Sequence, residues 1–209
     1  MSGPVTKVLL VRHGHVEGID PPRFRGRNDL PLTSLGLRQA EAVGQRIAER
    51  WEPVAVYSSP IGRAIHTAEA IAHPLELAVR PEPDIIEIDY GQWTGLSHDD
   101  VASSWPTEAK LWFRAPDVAH IPGGEALSDV FARVSRGMRN LVRRHRNETI
   151  AVVGHEAINR VVLLYALELP LSHYWRFKQD PCCINELDFR TDSCIVCSIN
   201  DMSHVRLQA

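Results

Sequence analysis

Three short apolar runs decide most of what this 209-residue chain can become: residues 5–11 "VTKVLLV", residues 54–59 "VAVYSS" and residues 149–154 "TIAVVG". Each is β-prone and too short for a helix of ordinary length, and each stops abruptly at polar residues. Helix-periodic segments follow them. Leu37, Ala40, Val43, Ile47 and Trp51 fall at spacings of three and four, with Thr33 placed to cap that helix. Pro60 opens a second helical pattern through Ala72. A third runs through Leu127, Val130, Phe131, Val134, Met138, Leu141 and Val142 to "RRHR", and a fourth spans residues 158–167.

Strands alternating with helices imply a largely parallel sheet covered on both faces, an α/β sandwich of three layers. The closing runs "INELDF" and "CIVCSI" suit a hairpin at one sheet edge, and "AVRPEPDIIEI" reads as extended. Residues 91–124, broken by Pro106, Pro116 and Pro122 and carrying Trp93, Trp105, Trp112 and Phe113, form the least regular part. No repeat or linker divides the chain, so one domain over residues 1–209 is expected.

A net charge of −3 gives no reason to expect nucleic acid or a membrane surface as partner. The first 50 residues nevertheless hold eight Lys or Arg against five acids. That local excess suits an anion pocket, and scattered surface arginines equally. The N-terminal apolar run is too short for a signal-peptide core and no segment could cross a bilayer, so a cytoplasmic protein is expected. Cys182 and Cys183 lack the two-residue spacer that lets two thiolates share a zinc ion, and a strand would point Cys194 and Cys197 to opposite faces. Buried apolar roles are expected for these cysteines, and no metal.

In an open parallel sheet, ligands bind outside the carboxyl ends of the strands. Arg12 and His13 follow the first run, Ser58 and Ser59 close the second, and His155 follows the third. This set fits phosphoryl transfer. A neutral imidazole can attack phosphorus, and arginine forks match the negative oxygens better than an ammonium does. A second histidine can donate to the same oxygens. A carboxylic acid is needed for the leaving alkoxide, and Glu87, after "DIIEI", is the candidate.

"LLVRHG", "GRNDLPLTSLG", "SSPIGRAIHTAE", "EIDYGQWTG", "PGGEALSDVFARV" and "VVGHEAINRVVL" resemble, in order and over nearly the whole chain, the blocks of the histidine phosphatase superfamily, phosphoglycerate-mutase-like branch. The resemblance implies a phosphoglycerate-mutase-like α/β/α sandwich with a mostly parallel mixed sheet. It also implies His13 as the phosphorylated nucleophile, Arg12 and Arg63 as phosphate ligands, Glu87 as proton donor and His155 as the second pocket histidine. No cofactor is implied, and the partner is a small phosphorylated substrate. The pattern departs from the family after "RHG", where His15 and Val16 stand and no Asn occurs before Pro21. Asn28 and Arg25 are the candidates to replace that phosphate ligand. His15 either contacts substrate or lies on a solvated loop, His66 is expected on a helix surface, and Glu125 is expected to cap or orient the helix after it.

The leading reading is a metal-independent phosphomonoesterase working through phosphohistidine. A bisphosphoglycerate-dependent phosphoglycerate mutase is the alternative enzyme, disfavoured by the modest length of the 91–124 segment, which is expected to cover the pocket. A catalytically silent phosphate-binding protein is the alternative of another class. Oligomeric state is not readable from these residues.

Overall fold

The computed structural model describes residues 3–206. Six strands form one sheet: β1 (Thr6–Arg12), β2 (Ala55–Ser58), β3 (Val79–Pro81), β4 (Thr149–Gly154), β5 (Ile184–Phe189) and β6 (Cys194–Asp201), in the order β3-β2-β4-β1-β5-β6. The pairings β1–β4, β2–β4 and β2–β3 are parallel, whereas β1–β5 and β5–β6 are antiparallel. The closing hairpin therefore stands at one edge, as the two final β-prone runs suggested.

The sheet is a two-sided layer because its central strands β1 and β4 carry consecutive apolar residues, Val8–Val11 and Ile150–Val153, that face both sides. In β1, Val8 and Leu10 point to one core and Leu9 and Val11 to the other. The first core is filled from α5 (Leu127–Arg144) and α6 (Glu156–Ala166) by residues such as Val134, Met138, Val161 and Leu164. The second receives Ala40, Val43 and Ile47 from α1 (Ser34–Arg50) and Ala64, Ala68 and Ile71 from α2 (Gly62–Ala72). A three-layer α/β/α sandwich with a mixed sheet results. Thr33 caps α1 as its sequence context required, its hydroxyl accepting from the Gly36 N–H. Arg143 and Arg144 close α5, where cations favour the helix terminus.

Two expectations need correction. Residues 91–124 are more regular than their prolines suggested, holding α3 (His98–Ser104) and α4 (Pro106–Arg114). Pro106 begins α4, at a position where its missing N–H costs nothing, and Ser97 with Asp100 forms a capping box on α3. The extended stretch around residues 78–88 is also only partly a strand. Val79–Pro81 pairs with β2, then a single 3₁₀ turn, Pro83–Ile85, leads to a loop carrying Glu87. "TIAVVG" is accordingly the fourth strand and not the third. Among the described residues, no helix is long and apolar enough to cross a membrane.

Cys182 and Cys183 are buried and Cys194 and Cys197 fall on opposite faces of β6, as expected, but Cys197 is exposed, because its face of this edge strand is not covered by a core, and so lacks the buried role expected of it. Towards the far end of β1, Glu186, Asp188 and Cys197 lie close enough to share a cation, but the Lys7 ammonium already pairs with both carboxylates.

Candidate active site

The carboxyl ends of β1, β2 and β4 bring His13, Ser59 and His155 together, and the first turn of α2 adds Arg63. His13 and His155 are fully buried with their ring centroids 5.1 Å apart. His13 Nδ1 lies 2.7 Å from the Gly14 carbonyl oxygen, which can only accept, so Nδ1 carries the proton. The lone pair is then on Nε2, where the Arg63 Nε–H donates to it at 3.2 Å. Burial, with His155, Arg63 and Arg12 nearby, holds the pKa of His13 well below its ordinary value. The ring is neutral at neutral pH and presents Nε2 as its nucleophilic atom.

Gly14 is required by close packing. A Cβ there would meet the Gly36 carbonyl oxygen at 2.6 Å, and one on Gly36 would meet the His15 carbonyl oxygen at 2.1 Å. The segment after β1 thus presses main chain to main chain against the start of α1, and the Gly14 N–H is held by Thr67 Oγ1 at 3.0 Å. That contact fixes the residue on which the His13 tautomer depends.

His155 Nε2 lies 2.7 Å from Ser59 Oγ. Ser59 Oγ already accepts from the Ile61 N–H, so its own hydrogen is available to Nε2. That arrangement leaves the ring proton on Nδ1, which is buried without a partner. Burial together with Arg63 and Arg12 also lowers this pKa far below the ordinary value.

Arg63 is anchored, its Nη1 and Nη2 donating to the carbonyls of Asn28 at 2.6 Å and Gly26 at 2.7 Å, with one N–H left on each nitrogen. Arg12 is held less fully. Its Nη1 donates to the Gln179 carbonyl, while Nε and Nη2 have no hydrogen-bond partner although they are buried. Nη2 stands 3.0 Å from Glu156 Oε2, close enough for charge pairing but not aligned for a hydrogen bond. A buried, half-used guanidinium fork is what an incoming phosphate would complete.

Glu87 is 5% exposed, and burial raises its pKa, with Arg63 and the Ile88 N–H opposing. A carboxyl of this kind can carry a proton to a leaving group. Its loop is held by Arg133 of α5, whose Nη1 donates to the carbonyls of Asp84 at 2.9 Å and Ile86 at 2.6 Å. The other edge of that guanidinium makes a fork with Glu125 at 2.9 and 3.0 Å, and Glu125 also accepts from the Asp89 N–H. Glu125 therefore orients the Glu87 loop as well as α5. Nothing in the local sequence marks Arg133, since its partners come from a segment some 46 to 49 residues away.

A cavity of about 330 Å³ opens beside these groups. Arg12, Arg25, Glu87, Glu156 and Arg160 line it together with the aromatic residues Phe24, Tyr90, Trp112, Tyr174 and Trp175. His13 and His155 lie behind this lining with no exposure of their own. Arg25 thus reaches the pocket. Asn28 does not, being exposed and joined to the site only through its carbonyl. His15 lies half-buried in the loop after β1 and does not line the cavity; its Nδ1 pairs with Thr33 Oγ1 at 3.0 Å and its N–H with Gln39 Oε1, tying it to the start of α1. His66 is on the exposed face of α2.

A buried neutral imidazole flanked by arginines and a protonatable carboxyl, all at the carboxyl edge of an α/β/α sheet, defines a phosphoryl-transfer site. The family profile described as "Histidine phosphatase superfamily (branch 1)" matches residues 8–202, and the chain belongs to that superfamily. Phosphoserine phosphatase 1 of Hydrogenobacter thermophilus is 31% identical over 201 residues, 96% of this chain and 95% of its own. The metal-independent phosphoserine phosphatase of Arabidopsis thaliana is 30% identical, over 98% of this chain and 85% of its own. Among solved structures, YhfR of Bacillus stearothermophilus superposes with a TM-score of 0.90 at 28% identity, over 96% of this chain and 99% of its own.

Proposed function

We propose that this phosphatase is a metal-independent phosphomonoesterase that transfers the phosphoryl group of a small substrate to His13 and then to water. The observation that carries the proposal is the fixed tautomer of His13, with Nδ1–H bonded to the Gly14 carbonyl and Nε2 facing Arg63. In the first step Nε2 attacks phosphorus and the bond to the leaving oxygen breaks, while Glu87 gives that oxygen its proton. Arg12, Arg63 and the Nδ1–H of His155 hold the three outer oxygens, whose negative charge persists throughout. In the second step the Glu87 carboxylate takes a proton from water, the oxygen attacks phosphorus and the phosphorus–nitrogen bond breaks. Inorganic phosphate leaves, with His13 neutral and Glu87 protonated again. Residues 91–124, through His98 and Trp112, form part of the cavity wall and supply the cover over the pocket.

Hydrolysis of p-nitrophenyl phosphate in EDTA tests this reading, with wild type and His13→Ala side by side. We expect a rate in the wild type and a loss of at least about 10³-fold in the variant. Equal rates would overturn the assignment of the nucleophile. Phosphate transfer to 3-phosphoglycerate without net release, dependent on 2,3-bisphosphoglycerate, would replace the phosphatase by a mutase.

A further inference from the structure

Arg12 meets the cavity with Nε and Nη2 unbonded because its remaining nitrogen is held from behind. Nη1 donates to the main-chain carbonyl of Gln179, and Nε and Nη2, which together make one fork edge, are buried without a hydrogen-bond partner. The orientation of the fork therefore depends on where the Gln179 carbonyl stands. Gln179 lies in the loop before β5, and no strand or helix ladder fixes it.

Its own side chain does. Gln179 and Asn185 of β5 form a closed carboxamide pair: Gln179 Nε2 donates to Asn185 Oδ1 at 2.8 Å, and Asn185 Nδ2 donates to Gln179 Oε1 at 2.9 Å. The second N–H of Gln179 goes to the Lys178 carbonyl at 2.8 Å, and that of Asn185 to the Leu10 carbonyl of β1 at 3.0 Å. Asn185 Oδ1 also accepts from the Asn200 N–H of β6 at 3.0 Å. The Asn200 carboxamide in turn donates to Asp180 Oδ2 at 2.9 Å and accepts from the Asp180 N–H at 2.7 Å. The closing hairpin thus grips the loop at two consecutive residues.

Both members of the central pair are buried, and every side-chain N–H they own is used. Asn185 stands between the core residues Ile184 and Leu187, where an apolar side chain would serve the sheet at no desolvation cost. A buried polar network with all its donors satisfied is rigid, and its rigidity ends at the carbonyl that holds Arg12. We propose that the Gln179–Asn185 pair is the positioning device of Arg12: it locks the Gln179 main chain, whose carbonyl holds Nη1 and so turns Nε and Nη2 toward the phosphoryl group. The inference rests on phosphoryl transfer at His13.

A double-mutant cycle tests it. Asn185→Leu, which keeps the size of the side chain and breaks the pair, is measured in the wild type and in Arg12→Ala by kcat/KM for p-nitrophenyl phosphate. In the wild type it should lower kcat/KM about tenfold and raise the inhibition constant of inorganic phosphate by a similar factor. In Arg12→Ala there is no guanidinium to turn, and the same substitution should change kcat/KM less than about twofold. A merely structural role would give the same factor in both backgrounds, and that result would overturn the proposal. An unchanged phosphate inhibition constant in Asn185→Leu would overturn it too. Gln179→Met breaks the pair from the other side, keeps the carbonyl and should repeat the pattern. Asn200→Gly loosens only the outer tie and tests the same dependence on Arg12, with a smaller change, should the buried variants not fold. Absence of His13-dependent hydrolysis in the wild type would instead overturn the phosphatase reading, and this inference with it.

Discussion

The two sides of the cavity are built by different means. On the phosphoryl side the groups stand beside strand ends or, for Arg63, in the first turn of α2, and each is bonded to main chain or to a neighbour that is itself buried: His13 to Gly14, Arg12 to Gln179, Arg63 to Gly26 and Asn28, His155 to Ser59. On the leaving-group side, Glu87 sits on a loop held by Arg133 from α5, by Glu125 before that helix and by Arg27, whose Nε donates to the Glu87 carbonyl at 3.1 Å. The sheet positions the nucleophile, whereas a guanidinium strut positions the acid. The first arrangement rests chiefly on main-chain contacts and should tolerate most single changes in the side chains around it. The second is open to substitution at a distance.

Removing the acid should have the largest effect. Glu87→Gln should lower kcat for an alkyl phosphate by roughly 10²- to 10⁴-fold and cost far less with p-nitrophenyl phosphate, whose leaving group needs no proton. The pH profile sharpens the same point. His13 works deprotonated and its pKa is lowered from 6.5, so the acid limb should lie below pH 6.5; Glu87 works protonated and its pKa is raised from 4.5, so the alkaline limb should lie above pH 4.5. Glu87→Gln should abolish only the alkaline limb, and loss of the acid limb instead would reverse the two assignments.

Arg133→Ala comes next, with a fall in kcat of roughly 10- to 100-fold from misplacement of the acid. Because Arg133 is a positioning residue that acts through Glu87, its loss should again be larger for alkyl than for p-nitrophenyl esters. An equal loss for both would mean that the strut supports the whole site. The smallest effect belongs to Thr33→Ala, which removes the α1 cap and the partner of His15. It should cost about 1 kcal/mol in urea denaturation and leave kcat/KM unchanged. A drop in activity would show that the Thr33 cap itself, and not only the packing of Gly14 on Gly36, supports the phosphoryl side.

This contrast also explains what could be read from the residues alone. Apolar runs of β1, β2 and β4 and the stripes of α1, α5 and α6 are local patterns, and the groups that follow the strands are legible with them. The short helices α3 and α4 are not, because their support comes from Trp93 and Trp112 packing in the core under α5 and α6. Proline at the first position of a helix also looks like a break until the helix is seen. His13, Arg12, Arg63, Glu87 and His155 come from motifs. Arg133 becomes a positioning candidate only once chain segments far apart in sequence are side by side, and Glu156 and Arg160 join the cavity wall the same way.

The facing glycines, Gly14 and Gly36, have a consequence for variation. Each excludes a side chain on the other's segment through a main-chain oxygen, at 2.6 and 2.1 Å, so no shortening of a neighbouring side chain can make room. Compensating second-site changes, the usual route by which a tight contact drifts, are closed at this point. A library that randomises the chain for new substrates should keep both glycines in nearly every survivor, and diversity should accumulate on the opposite wall, where loops and helix starts carry the contacts.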